Sequence, residues 1–195
     1  MIDLSITPNR PDALGVYGIA RDLYAKGLGK LIPRKIGDIY STFDSPVDVL
    51  LDNSVSTKDC PYFLGRYIKG INNSSSPDWL QNRLIKIGLR PISGLVDLTN
   101  FLTFDSARPL HAFDADRLEG DLVVRKAKNG EELKALDGNV YKLDDTMTVI
   151  ADSKCVQAIG GIIGGENSGC SESTKNIFIE SAYFDPISTA KTGRK

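Results

Sequence analysis

The sequence predicts an α+β fold in which mixed or antiparallel β-sheets are layered with packed helices. Amphipathic helical segments dominate the first half, whereas the second half carries short runs rich in β-branched residues. Asp137-Gly138 lies between two apolar runs and is a hairpin signal. At 195 residues the chain is long enough to bury a substantial core.

The first predicted helix follows Asn9, which we expect to cap it, and includes Pro11 in its first turn. The helical pattern ends at Gly27. From residue 33 to residue 46 the chain becomes rich in proline, glycine and serine between short apolar pieces, and we interpret this stretch as a linker.

The second predicted helix is the most clearly bounded element. Ser76 is its expected cap, Pro77 lies in its first turn and Gly88 ends it. The residues expected near one apolar face are Trp79, Leu80, Leu84 and Ile87. A third helix is expected over residues 94–107, and a strand pattern covers residues 176–184. The stretch "DPISTAKTGRK" that follows predicts the start of a capped helix.

Composition excludes several classes of protein. The net charge of −1 gives no general attraction for phosphate backbones, although a local basic patch is compatible with it. Cys60, Cys155 and Cys170 are widely spaced, and with a single histidine they do not predict a structural zinc site. No apolar run approaches the ~20 residues of a membrane helix. We expect a soluble intracellular protein with reduced thiols.

The glycine-rich stretch "GGIIGGENSG" runs from residue 160 to residue 169. Gly160 and Gly165 have the spacing of a phosphate-binding loop, but Glu166 stands where that loop needs lysine. Two interpretations remain open. The glycines allow sheets to pack closely, or their bare backbone lines a pocket.

Glu180 lies near the end of the last strand pattern, where alternation places it on the same face as Phe178. It is either solvated or turned inward, and an inward carboxyl needs a partner such as a ligand hydroxyl. Asn100 lies on the predicted third helix, which precedes the histidine. Polar side chains on a helix often form hydrogen bonds with the local backbone.

His111 is the only histidine, and it lies in "RPLHAFD". Its imidazole titrates near neutral pH, which makes it a candidate for catalysis or ligand binding as well as for a structural role. We expect Pro109 and the pair Phe113-Asp114 to form a rigid turn that presents it. No Gly-x-Ser-x-Gly elbow accompanies it, so a covalent serine hydrolase is not supported.

Longer motifs carry a resemblance to a known family. The strings "GLRPISGLVDLTNFLTFDSARPLHAFD" and "AIGGIIGGENSG" resemble the B3/B4 editing domain of bacterial phenylalanyl-tRNA synthetase β subunits. The opening "SITPNRPDALGVYGIARDL" resembles the end of the preceding B1 domain. The resemblance implies two segments: residues 1–45, the end of a B1-like segment plus linker, and residues 46–195, an editing domain truncated at its C-terminus.

The family hydrolyses the ester of tyrosine wrongly attached to tRNA(Phe). An apolar synthetic pocket cannot strongly reject an added hydroxyl, so a second site must select for it. By resemblance, Glu180 accepts the hydrogen bond of the tyrosine phenol with help from the backbone of Gly161, and Gly164 leaves space for the ring. Arg90 contacts the 3′-terminal adenosine or its phosphate.

The resemblance assigns His111 and Asn100 to the ester end, where they hold the substrate and order the attacking water. His111 orients the ligand and is a candidate proton relay. Positioning of this kind contributes a large share of such a barrier. Two residues depart from the family pattern, because Ala107 and Arg108 stand where relatives carry a glycine and a glutamine-like residue.

The resemblance implies tRNA(Phe), the α subunit and the remainder of the β subunit as partners, in a cytoplasmic α2β2 enzyme without membrane contact. No cofactor is expected for this segment, since ATP and magnesium serve aminoacylation by the parent synthetase. The alternative is a non-catalytic RNA-docking or structural piece of the synthetase. A free-standing editing protein is disfavoured, because the chain stops before the helix and the Thr-Asp-Ala-Ser-type stretch of the family.

Overall fold

The three longer helices and the strands lie in different parts of the chain in the computed structural model, which describes residues 2–55 and 58–195. One compact unit, the helical unit, comprises residues up to 44 and residues 74–110. The other, the sheet unit, comprises residues 45–73 and 111–195. The chain crosses between the units three times. The division into residues 1–45 and residues 46–195, which the resemblance implies, remains a prediction.

The first helix begins later than its sequence suggests. Residues Pro11–Ala13 form a separate 3-10 turn, and α1 spans Val16–Ala25 with Gly15 at its N-cap. Asn9 is therefore not the cap that we expected. The proline favours a tight turn, but the extended backbone of Gly15 separates this turn from the helix.

The second helix, α2 (Asp78–Lys86), has Pro77 at its N-cap, so the expected cap Ser76 was wrong. The hydroxyl of Ser76 instead donates to the carboxylate of Asp97 on α3 (Gly94–Ser106). Asp97 is buried, and its other oxygen accepts from the backbone N–H of Ile92 at 2.8 Å. The hydroxyl stabilises a buried carboxylate here, where an unpaired charge is costly.

The expected apolar face of α2 is divided. Leu80 and Leu84 are buried, at 3% and 1% exposure. Trp79 and Ile87 are 53% and 50% exposed. Spacing predicts which residues share a helix face, but the width of the buried stripe depends on what packs against it.

The C-cap of helix α3 is Ala107, whose φ of +54° lies in the left-handed region. The resemblance described above leads us to expect glycine at this position. A left-handed conformation costs a residue with a Cβ about 1–2 kcal/mol, and glycine avoids that cost.

We expect Ala107→Gly to stabilise the chain by about 0.5–1 kcal/mol, after allowance for the greater freedom of glycine in the unfolded state. Urea unfolding measures the change. Ala20→Gly in the interior of α1 is the matched control, and it should destabilise by about 0.5–1 kcal/mol. Destabilisation by Ala107→Gly would contradict the argument.

The strands of the sheet unit are β1 (Val49–Leu51), β2 (Tyr62–Ile68), β3 (His111–Asp114), β4 (Leu122–Lys126), β5 (Glu132–Lys134), β6 (Val140–Lys142), β7 (Thr148–Ala151), β8 (Val156–Ile159), β9 (Ile163–Gly164) and β10 (Ile177–Tyr183). They form a five-stranded sheet of order β1-β4-β7-β8-β9, a three-stranded sheet of order β2-β10-β3 and a β5-β6 hairpin. Only β1 and β4 pair in parallel among these strands of the described chain.

The main core lies between the two larger sheets. Phe113 and Phe178 from the three-stranded sheet are at most 2% exposed, and they pack with Leu122, Val124 and Ile150 from the five-stranded sheet. A second cluster around Leu133 and Val149 lies beneath the hairpin. The mixed helix and sheet content confirms the predicted α+β class.

Two local predictions are confirmed. Asp137-Gly138 lies in the loop of the β5-β6 hairpin, where Gly138 has a φ of +84°. Asp185 caps the last helix, α4 (Pro186–Thr192), by accepting from the backbone N–H of Ser188 at 2.6 Å. Across residues 2–55 and 58–195, no helix is long and apolar enough to cross a membrane.

Candidate functional site

The centre of the three-stranded sheet carries Glu180. On β10, Glu180 is directly opposite Gly65 of β2 on one side and His111 of β3 on the other. Directly opposed residues of antiparallel strands share a face of the sheet, with Cβ atoms about 5 Å apart. The same face carries Phe178 and Phe113, which are core residues. Glu180 and His111 therefore project towards the interior.

The expected turn around His111 was wrong. Residues His111–Asp114 form β3, and alternation along this strand aligns His111 with Phe113 on the inner face. Pairing with β10 overrides the turn preference of Pro109. The imidazole contacts the ring of Phe113 edge to face, with 4.4 Å between ring centroids and an interplanar angle of 84°.

Burial controls the ionisation of Glu180. The side chain is 8% exposed, and no hydrogen bond to its carboxyl group occurs among residues 2–55 and 58–195. Removal from water raises the pKa of Glu180 to about 7, because the charged form loses its hydration without gaining a partner. The carboxyl is thus able to accept a hydrogen bond from a ligand hydroxyl, as the inward interpretation of the sequence requires.

The imidazole of His111 is held in its neutral form. Burial lowers the pKa of His111 to about 4. Its Nε2 atom is buried and has no hydrogen-bond partner in the described part of the chain. A buried ring nitrogen without a partner is unfavourable, and a substrate or an ordered water can supply the missing hydrogen bond.

The backbone of Gly164 lies close to this histidine. A Cβ added at Gly164 would lie 2.3 Å from Cε1 and 2.6 Å from Nε2 of His111. The space left by the glycine is therefore filled by the imidazole in this structure. This contact is the close packing of the first interpretation of the glycine-rich stretch, whereas a pocket lined by its bare backbone remains a prediction.

Gly161 lies in the turn between β8 and β9, with a φ of +70°. The ring of Phe184 lies over this turn, since an added Cβ would be 2.7 Å from it at Gly160 and 3.1 Å at Gly161. Phe184 follows directly after β10, so the strand that carries Glu180 also delivers this ring to the glycine turn.

Two predicted site residues belong to the helical unit. Asn100 lies on α3 and is partly exposed, and Arg90 is exposed after the end of α2. The hydroxyl of neighbouring Thr99 donates to the backbone carbonyl of Val96 at 2.9 Å. Hydrogen bonds of this kind to the local backbone are common for polar side chains on helices. The roles of Asn100 and Arg90 at the site remain predictions.

Sequence reasoning missed Phe184 and Cys60, and it placed Phe113 in a turn. Phe184 covers the glycine turn, and Phe113 supports the imidazole. Cys60 is a buried free thiol whose pKa is raised to about 11, mainly by burial and further by the charge of Glu180. Alternation in "HAFD" could have indicated Phe113, but no local signal indicates the other two.

Comparison with known proteins bears on this arrangement. Residues 59–195 match the family described as the B3/4 domain. The whole chain is 54% identical to part of the phenylalanine–tRNA ligase beta subunit of Paramagnetospirillum magneticum, covering 25% of that protein. It is 52% identical over 99% of its length to the corresponding subunit of Cereibacter sphaeroides, covering 24% of it. The chain thus spans about a quarter of the length of these relatives.

A solved structure shares the fold. It is an N-terminal fragment of the phenylalanyl-tRNA synthetase beta subunit from Pyrococcus horikoshii, which matches with a TM-score of 0.56. The match covers 92% of this chain and 54% of the other at 19% sequence identity, so it supports the architecture alone. The layered sheets that hold Glu180 and His111 are thus part of a shared fold.

Proposed function

Because this chain belongs to the B3/4 domain family, we propose that it removes wrongly attached tyrosine from tRNA(Phe) by hydrolysing the ester bond. The observation that carries the proposal is the buried carboxyl of Glu180, which has no hydrogen-bond partner in the described chain and lies among aromatic core residues. A site of this kind favours a ring with a hydroxyl. Phenylalanine would leave the carboxyl unpaired, at a cost of about 1–3 kcal/mol.

In the proposed mechanism the phenol O–H of tyrosine donates to the carboxylate of Glu180. The neutral imidazole of His111 orients the ester end and the attacking water through Nε2. The water oxygen attacks the ester carbonyl carbon and the bond to the ribose oxygen breaks. The proton lost by the water passes to that ribose oxygen, so tyrosine and tRNA with a free terminal hydroxyl are released. Asn100 is proposed to act with His111 at the ester end, and Arg90 is proposed to contact the 3′-terminal adenosine or its phosphate.

The pKa of His111, about 4, bears on its role. An imidazole with such a low pKa is a weak base at neutral pH, so positioning of water is a better-supported contribution than outright proton removal. The terminal hydroxyls of the tRNA are then natural carriers for the proton. ATP and magnesium serve aminoacylation in the parent enzyme, and we assign neither of them to this chain.

We further propose that the chain acts as the editing region of a cytoplasmic α2β2 phenylalanine–tRNA ligase. The similarity to beta subunits over the whole chain supports partnership with an α subunit and with the remaining three quarters of such a β subunit. Aminoacylation, ATP binding and most contacts with tRNA are then functions of that larger assembly.

The proposal is tested by measuring release of tyrosine and of phenylalanine from the corresponding aminoacyl-tRNA(Phe), in single-turnover reactions with the chain in excess. We expect faster release of tyrosine, and we expect Glu180→Ala to reduce the ratio of the two rates about 10- to 100-fold through loss of the hydrogen-bond acceptor.

Glu172→Ala is the matched control, because Glu172 is an exposed glutamate of the same unit. It should leave the ratio unchanged. An unaltered ratio in Glu180→Ala would remove Glu180 from its role. Absence of release above buffer would reject hydrolysis by these residues and favour the alternative of a non-catalytic RNA-docking piece.

A further inference from the structure

The exposed side of α2 carries a tryptophan that the proposed site does not use. Trp79 is 53% exposed and is the only tryptophan of the chain. Its ring contacts that of Phe101 edge to face, with 5.6 Å between centroids and an interplanar angle of 86°. Leu80 and Leu84 already bury the inner side of the helix. Trp79 is therefore an aromatic surface that contacts Phe101 on one side and has half of its area open to water.

A positively charged side chain lies beside this ring, and others follow it along the chain. The guanidinium carbon of Arg83 lies 5.7 Å from the ring centroids of both Trp79 and Phe101. Lys86, one further turn along α2, and Arg90, beyond its end, are also exposed. Asp78 is the single acidic residue of α2. The side of the helix that shows Trp79 is thus basic, in a chain whose net charge is −1.

An open aromatic ring beside several cations fits a particular kind of partner. Bases of single-stranded nucleic acids stack on aromatic side chains and guanidinium groups, and their phosphates pair with Arg and Lys. Stacking contributes about 1–3 kcal/mol for each base. Apolar protein partners would use the ring but not the cations, whereas a flexible RNA strand uses both.

We propose that Trp79, Arg83 and Lys86 form a stacking platform for single-stranded RNA. If the proposed function is correct, the strand is the unpaired 3′ region of the tRNA, and Arg90 continues the same basic surface. The platform binds one or two bases with their phosphates. A contact of this size gives weak affinity, which suits a terminus that must reach the hydrolytic site and leave it again.

The test uses the fluorescence of Trp79, which reports on this surface alone because the chain has no other tryptophan. The 195-residue chain is titrated with seven-nucleotide oligoadenylate RNA, with oligouridylate RNA of the same length and with oligoglutamate of equal charge. We expect quenching by both RNAs, stronger binding of oligoadenylate because adenine stacks better, and no saturable quenching by oligoglutamate.

The salt dependence and two variants locate the binding. Neutralisation of two to three phosphates of a single strand predicts that the affinity falls about 7- to 18-fold between 50 and 200 mM salt. Arg83→Glu and Lys86→Glu change exposed side chains, and each should weaken binding about tenfold. Lys142→Glu, at an exposed lysine of the sheet unit, is the matched control and should bind as the parent does. Far-UV circular dichroism verifies that the variants are folded.

Three results would overturn the platform: no saturable change in Trp79 fluorescence with either RNA, unchanged affinity in both charge-reversal variants, or equally tight binding of oligoglutamate, which would indicate a site for acidic peptides. The RNA carries no amino acid, so the outcome is independent of hydrolysis. A chain that binds RNA through Trp79 without releasing tyrosine contradicts the proposed function alone, and the converse contradicts the platform alone.

Discussion

Gly164→Ala is expected to slow tyrosine release about a hundredfold while leaving most of the fold intact. The new Cβ would lie 2.3 Å from Cε1 and 2.6 Å from Nε2 of His111, and real contacts of this kind do not occur. The imidazole must move, but Phe113 contacts it and limits where it can go. A shift of about 1 Å at a positioning group costs on the order of 10²-fold in rate.

Two measurements together check this prediction. Single-turnover release of tyrosine gives the rate, and NMR of the imidazole gives the position of the ring, since His111 is the only histidine. Gly193→Ala is the matched control, because its nearest neighbour would be at 3.4 Å and its backbone is right-handed helical. A Gly164→Ala variant with shifted imidazole signals but the parent rate would exclude His111 from the reaction.

Glu180→Gln is expected to stabilise the chain at alkaline pH. The pKa of Glu180 is about 7 in the folded chain and about 4.5 when the carboxyl is in water. The folded chain therefore holds this proton more tightly than the unfolded chain does. Stability from Glu180 is greatest below pH 4.5 and is lost as the pH rises through 7. The glutamine side chain does not ionise, so the Glu180→Gln variant keeps its stability as the pH rises through 7.

The size of the effect follows from the pKa difference. Between pH 5 and pH 8 the free energy of unfolding of Glu180→Gln should gain about 2–3 kcal/mol relative to the parent chain. Urea unfolding at the two pH values measures it. The exposed Glu172→Gln is the control, for which we expect no such gain. Parallel pH dependence in the parent and in Glu180→Gln would show that the carboxyl is not buried as described.

Local signals in the sequence predicted those elements that local chemistry determines. The hairpin at Asp137-Gly138 and the cap at Asp185 follow from backbone preferences of a few residues, and both are present. The prediction that Ser76 caps α2 was wrong, because its hydroxyl donates instead to Asp97 on another helix. The exposure of Trp79 could not be predicted, since spacing along a helix does not show which side is covered.

The candidate site was predictable as a set of residue types but not as an arrangement. Alternation correctly aligned Glu180 with Phe178, and the inner face of this strand then follows from the burial of the phenylalanine. Nothing near His111 indicates that it pairs with a strand far along the chain, and Pro109 suggested a turn. The contact between Gly164 and the imidazole depends on that pairing, so it too was invisible in the sequence.

The order of strands in the smaller sheet has a consequence for biosynthesis. In the described chain β2 and β3 join one sheet only through β10, which is synthesised after both of them. Until β10 is synthesised, β2 and β3 have unpaired edges. The long chain segments that separate them from β10 must then form loops before the strands can pair. Folding of this sheet is therefore governed by non-local contacts, which form slowly. A nascent chain that ends before Glu180 carries the histidine but has no strand to hold it in register.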